Sequence, residues 1–200
     1  MNFSPLALFL FGLVASVSAA PPNIPDTSSA KIMLSDLSIR TTDATGYERS
    51  KFPHWITING CSTRETVLKR DGTGLKLGAG CSTSAGTWYS AYDGATWTSP
   101  SDLEIDHVVP LFDAWKSGAN AWTTDERRNF ANDLTNPQLI AITSRVNTSK
   151  GGKSPDDWKP PLTSYYCTYA KMWVQVKSVY SLSVTSDEKN ALDDMLKTCV

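Results

Sequence analysis

The side chains best suited to acid–base chemistry fall in two stretches, Glu104-Ile105-Asp106-His107-Val108-Val109-Pro110 and Asn147-Thr148-Ser149-Lys150. His54 and His107 are the only histidines, which leaves few ways to build a proton-transfer site. His107 has the better context, with an aspartate before it in a β-branched run. A neutral imidazole, with an ordinary pKa near ~6.5, takes a proton from water at physiological pH. The Asp106 carboxylate and the Asn147 amide oxygen are hard donors, and Mg²⁺ takes one or two of these with water completing its shell. Hydrolysis of a phosphodiester needs an activated water, charge at the phosphate and help for the departing oxygen. His107 is therefore the candidate base, and Asp106 with Asn147 the candidate metal pair. Lys150 lies three residues beyond Asn147, on one helix face. Lys150 and Lys153 are the candidate phosphate contacts. Asn136 precedes a short apolar run, and its amide is expected to hold a loop in shape rather than to touch metal.

Several elements must position these groups. Glu104 to Val109 reads as a strand ended by Pro110, and Leu139 to Ile142 as a second. Ser144 is expected to cap a helix that Gly151-Gly152 ends. Adjacent residues of a regular strand face opposite ways, so Asp106 and His107 need a bend to reach one site; a bulge would supply it, though the sequence shows none. Ala30, Met33, Leu34 and Leu37 have helical spacing. Ser62-Thr63-Arg64-Glu65 and Thr123-Thr124-Asp125-Glu126 are capping boxes, and Phe112 to Lys116 looks helical. Gly74 to Ala85 reads as loop with a short strand at best. Asp93-Gly94 between aromatic runs predicts a two-residue hairpin turn. Tyr166, Tyr169, Trp173, Val176 and Tyr180 mark one helix face, and Thr185-Ser186-Asp187-Glu188 opens a last helix.

At the scale of the chain, Leu6 to Val17 followed by Val17-Ser18-Ala19 has the pattern of a secretory signal over residues 1–19, although its first residues lack Lys or Arg. A membrane anchor is the alternative, but the run is short for one. Residues 20–25 form a Pro-rich leader, and 26–200 suit a single domain. The product is expected to be secreted, free of the membrane once the signal is removed, and monomeric. Cys61, Cys81, Cys167 and Cys199 allow three pairings. Sequence order favours Cys61–Cys81 and Cys167–Cys199; an antiparallel pairing of the last two helices would also bring Cys167 beside Cys199. Zinc is disfavoured by the lack of a C-x-x-C pair or a His cluster. The net charge of −1 argues against a protein that holds nucleic acid by bulk electrostatics, though not against a local basic groove.

Ile105-Asp106-His107-Val108-Val109-Pro110, Asp113 to Ala119, Arg128 to Leu134 and Asn147 to Gly151 together resemble the secreted HNH endonucleases of the GmrSD C-terminal-domain type, in the wider ββα-metal (His-Me finger) superfamily. Weaker likeness extends upstream through Tyr47-Glu48-Arg49, Phe52, Trp55, Cys61 to Arg64 and Lys69 to Asp71. The resemblance implies an α+β fold: an HNH core with a small antiparallel sheet, surrounding helices and a C-terminal helical hairpin. It implies a metal-dependent endonuclease acting on DNA or RNA and leaving 5′-phosphate ends, with Mg²⁺ or Mn²⁺ as cofactor. Asp106 and Asn147 would bind the metal, His107 would be the base, and Asn136 the middle residue of the motif. Position in the similar segment adds Arg49 and Arg64 as phosphate contacts.

Plainer readings stand beside these. Asp106-His107 alone would read as a satisfied surface pair, and the downstream Asn–strand–helix pattern is what outweighs that. His54, beside Trp55, reads as structural; most Trp and Tyr residues read as core; Arg127 and Arg128 read as a solvated face. Asn147-Thr148-Ser149 is also a glycosylation sequon, expected to stay unmodified. A non-enzymatic secreted interaction protein on the same scaffold is the alternative function. A Ser-His-Asp hydrolase lacks its G-x-S-x-G elbow.

Overall fold

The computed structural model describes residues 20–200; the signal segment expected at 1–19 lies outside them. The fold is α+β, with small antiparallel sheets and several helices. Asp26 caps α1 (Thr27–Asp36) by accepting a hydrogen bond from the Ser29 backbone N–H at 2.9 Å. A 3-10 turn at Arg49–Lys51 follows, then the paired strands β1 (Thr57–Ile58) and β2 (Cys61–Ser62). Ser62 and Glu65 complete both bonds of the capping box that opens α2 (Thr63–Asp71).

The next segment departs from expectation. β3 (Gly72–Leu77) and β4 (Thr83–Tyr89) form an antiparallel hairpin across the stretch expected to be loop, and β5 (Thr96–Trp97) adds to β4. Most residues of β3 are exposed, so burial imposed no alternating apolar pattern for the sequence to display. Trp88 pairs with Trp97 and Tyr89 with Thr96. The expected two-residue turn at Asp93-Gly94 is instead the longer connection 90–95: Ser90 N–H donates to the Ala95 carbonyl, and Gly94 has φ +75°.

β6 (Leu103–His107) is followed by α3 (Leu111–Lys116) and α4 (Thr124–Ala131), the latter opened by the Thr123–Glu126 capping box. The chain then returns as β7 (Leu139–Thr143), antiparallel to β6, with Asp106 opposite Ile140 and His107 opposite Leu139. Its register is continuous, so no bulge interrupts the pair. α5 (Ser144–Lys150) packs on both strands. Thr143 occupies the N-cap position without a side-chain capping bond, while Ser144, the expected cap, donates its hydroxyl to Glu104. Gly151 ends α5 at φ +54°.

α6 (Tyr166–Val179) and α7 (Ser186–Leu196) pack as a hairpin. The Cys167–Cys199 disulfide joins the start of one to the end of the other, with Cα atoms 5.0 Å apart. Cys61–Cys81 ties β2 to the β3–β4 connection. Both pairings are those favoured by sequence order.

The β6–β7 pair divides two apolar clusters. Leu103, Ile105, Leu139 and Ala141 join Val67, Leu68 and Trp88 on one side, whereas Ile140 and Ile142 join Tyr92, Tyr169, Trp173 and Leu192 on the other. The two-residue period of the strand accounts for that division. It also sends Asp106 to one side and His107 to the other.

Candidate active site

A cavity of 130 Å³ lies against β6, and Arg49, Asp106, His107 and Asn147 are among its lining residues. Ile105 borders it too. Three successive strand residues can share one cavity only along an open strand edge, where both faces are reached; no bulge is required. Asp106, His107 and Asn147 thus border one cavity without a bulge.

Asp106 is buried and both its oxygens are engaged. Oδ1 accepts from Lys150 Nζ and Oδ2 from the Tyr92 hydroxyl, each at 2.8 Å. Lys150 Nζ also donates to the His107 carbonyl at 2.8 Å, and the residue is fully buried. Burial raises the Asp106 pKa, against the opposing pull of Lys150 and Tyr92, and lowers that of Lys150. Lys150 is thus not the expected phosphate contact. It is the countercharge that allows a carboxylate to sit in an apolar interior.

His107 Nε2 lies 2.9 Å from the Ala131 carbonyl. A carbonyl only accepts, so Nε2 has the proton and Nδ1 keeps its lone pair. Burial is the main cause that pushes the imidazole down to about 3, with the charge of Arg49 adding to it and the Ala131 bond opposing. The ring is held by Trp55, whose centroid is 5.3 Å away, and by His54 at 6.3 Å. His54 donates Nδ1–H to the Phe52 carbonyl at 2.7 Å, so the second histidine buttresses the first.

Trp55 has φ +59°, a conformation a bulky side chain adopts only where its surroundings impose it. Asn132 does so. Its Nδ2 donates to Pro53 O and its Oδ1 accepts from Ile56 N–H, on either side of Trp55. That oxygen also accepts from the buried Thr63 hydroxyl at 2.8 Å.

Asn147 Nδ2 donates to Glu104 Oε2 at 2.7 Å. Because a carboxylate can only accept, this fixes the amide orientation and leaves Oδ1 available. Glu104 and Asp106 are two apart on one strand face; that spacing was visible in the sequence, and the role of Glu104 was missed. Asn132 fell in a segment of the family resemblance, but nothing in the sequence gave it or Tyr92 a role.

The remaining candidates divide. Arg49 lines the cavity and forms no ion pair with any described residue. Arg64 does not line it; its guanidinium donates to the Pro100 and Leu103 carbonyls at 3.1 Å, clamping the entry to β6. Lys153 is exposed and turns back to the Ser149 carbonyl. Asn136 stays outside the cavity, with its N–H and Nδ2 both donating to Asp133. Its work is holding the loop before β7.

The donor set fits a hard divalent cation. Asp106 and Asn147 line one cavity, the Asn147 amide oxygen is available, and each Asp106 oxygen has accepted one hydrogen bond of the two its lone pairs allow. The described residues contain no group of three His, Cys, Asp or Glu side chains that could hold a metal. Asp106 and Asn147 alone would leave most of a cation's shell to water. The Lys150 ammonium beside the same carboxylate weakens such binding by like-charge repulsion.

The family described as GmrSD restriction endonucleases, C-terminal domain, matches residues 76–195. The chain belongs to that family, a nuclease-related one. It is 61% identical, over 181 residues, to a protein of Arthroderma benhamiae named "Uncharacterized secreted protein", a span of 90% of this chain and 89% of that one. The chain is a secreted protein. No solved structure matches it.

Proposed function

We propose that this protein is a secreted, metal-dependent endonuclease hydrolysing phosphodiester bonds of DNA or RNA, and that β6, β7 and α5 form its ββα-metal core. The observation that carries this reading is the single cavity shared by Asp106, His107, Asn147 and Arg49, drawn from three distant parts of the chain in a family of restriction-endonuclease domains.

Asp106 and Asn147 would hold Mg²⁺ or Mn²⁺, which supplies positive charge at the phosphate. His107 takes the proton of the attacking water at Nδ1, since Nε2 is committed to Ala131. Its burial keeps the ring neutral and its lone pair available, but a pKa near 3 makes it a poor base before substrate arrives. A phosphate dianion or diester arriving beside the ring favours the imidazolium and moves the pKa back up. Arg49 meets the same phosphate with a guanidinium suited to paired oxygen contacts. A water molecule returns a proton to the departing oxygen.

A second reading, a non-enzymatic interaction protein on this scaffold, is favoured by the Asp106–Lys150 pair, which neutralises the carboxylate without any metal. One experiment separates the two. Purified protein is incubated with plasmid, single-stranded DNA and RNA, with Mg²⁺ and with EDTA. Cleavage that EDTA stops, and that His107→Ala lowers at least about a hundredfold with the thermal melt retained, is expected. No cleavage of any substrate, or undiminished cleavage by His107→Ala, refutes the nuclease reading.

A further inference from the structure

Beside the catalytic cavity lies a larger groove of 420 Å³, lined by Tyr47, Arg49, Pro110, Leu111, Phe112 and the Gly151–Gly152 backbone. Arg49, Pro110, Leu111 and Gly151 line both. The two therefore share a wall, to which Arg49 contributes. The volume falls within the range of about 300–1,000 Å³ common to small-ligand sites.

The walls differ in kind. Asp106, His107 and Asn147 belong to the first cavity alone, whereas Tyr47, Phe112 and Gly152 belong to the groove alone. Tyr47 and Phe112 stand 5.0 Å apart with their planes at 66°, forming a corner rather than a closed stack. Both are only partly buried, unlike Phe52 and Trp115, on which Tyr47 rests. That packing fixes the Tyr47 ring before any ligand arrives. Gly152 sits against Phe112: a Cβ there would lie 3.0 Å from Phe112 Cδ1. A side chain at 152 would crowd that ring, and Lys116 Nζ lies 5.0 Å from its centroid.

A planar ring of any identity gains about 1–3 kcal/mol by stacking on such a platform, whatever its hydrogen-bonding pattern. We propose that the Tyr47–Phe112 groove is a nucleobase subsite, which holds an unpaired base next to the phosphate bound at Arg49 and His107. The proposal rests on the nuclease reading for its choice of ligand. It adds that the substrate is engaged with one base out of the duplex stack, so single strands are preferred to duplex and base identity matters little.

The test is an affinity comparison that does not depend on cleavage. Binding of a fluorescein-labelled single-stranded hexathymidylate, and of the same backbone made entirely of abasic sites, is measured by anisotropy in EDTA. Wild type, Phe112→Ala and Phe112→Leu are compared; the leucine keeps apolar bulk and removes the π face. Wild type is expected to bind the base-bearing oligomer between about fivefold and a hundredfold more tightly than the abasic one. Both variants are expected to bring that ratio close to one while leaving abasic binding unchanged. Equal affinity of wild type for the two oligomers, a ratio that survives in both variants, or no binding of either oligomer overturns the subsite. Cleavage with Mg²⁺ is scored separately on wild type. Cleavage with base-indifferent binding removes the subsite and leaves the nuclease; base-dependent binding without cleavage removes the nuclease and leaves the subsite.

Discussion

Lys150 shows how a side chain's type can mislead about its role. Lysine is among the residues least often buried, and its position one helical turn from Asn147 made it look like a phosphate contact. Fully buried against Asp106, it has instead a structural electrostatic role that no spacing could reveal. The two roles differ in what removal does. Lys150→Met leaves a buried carboxylate without its countercharge and is expected to cost about 3–5 kcal/mol, read by urea unfolding. Asp106→Asn in the same chain should recover part of that loss, because the uncompensated charge is gone. A surface phosphate contact would change stability by less than about 0.5 kcal/mol, and that result would reinstate the first role.

Among the elements, α2, α4 and α7 were legible because each opens with a capping box, a signal confined to four residues. β6 and β7 were legible because burial on one or both faces demands apolar residues. The β3–β4 hairpin was not, since an exposed ladder held by backbone bonds leaves little trace in side-chain type. The segment from Phe52 to Ile56 was also opaque: its shape is dictated from α4, through Asn132. Asn132→Ala removes an acceptor from Ile56 and Thr63 and a donor from Pro53. Leaving such buried groups unpaired is expected to cost about 3 kcal/mol, measured by chemical denaturation. It should also disturb the packing of Trp55 on His107, seen as a shift of the His107 ring resonances in NMR spectra. Unchanged stability and unchanged resonances would show that the Trp55 conformation is held by something else.

Across the whole molecule, α3, α6 and α7 meet at a buried charged cluster away from the cavity. Lys177 pairs with Asp113 and Glu188, and Glu188 also accepts from the Trp173 indole at 2.7 Å. Burial, opposed by Lys177 and reinforced by Asp113, pushes Glu188 from its ordinary 4.5 up to about 7. A carboxyl with a raised folded-state pKa binds its proton more tightly when folded. Its contribution is therefore complete below about pH 4.5 and is lost as pH rises through 7. Between pH 5 and pH 8 the wild-type Tm is expected to fall relative to that of Glu188→Gln by on the order of 5 °C. Differential scanning calorimetry of the two proteins across that range checks it, and parallel curves would contradict it.

The bond from Asn147 to Glu104 has a consequence during export. The nitrogen that a sugar-transferring enzyme would modify in Asn147-Thr148-Ser149 is the one donated to Glu104. Once α5 has closed over β6, that atom is committed to Glu104. A newly threaded chain offers it to both fates, and whichever is faster wins. Under the proposed nuclease reading, modification before that closure would take the nitrogen from Glu104 and displace a proposed ligand.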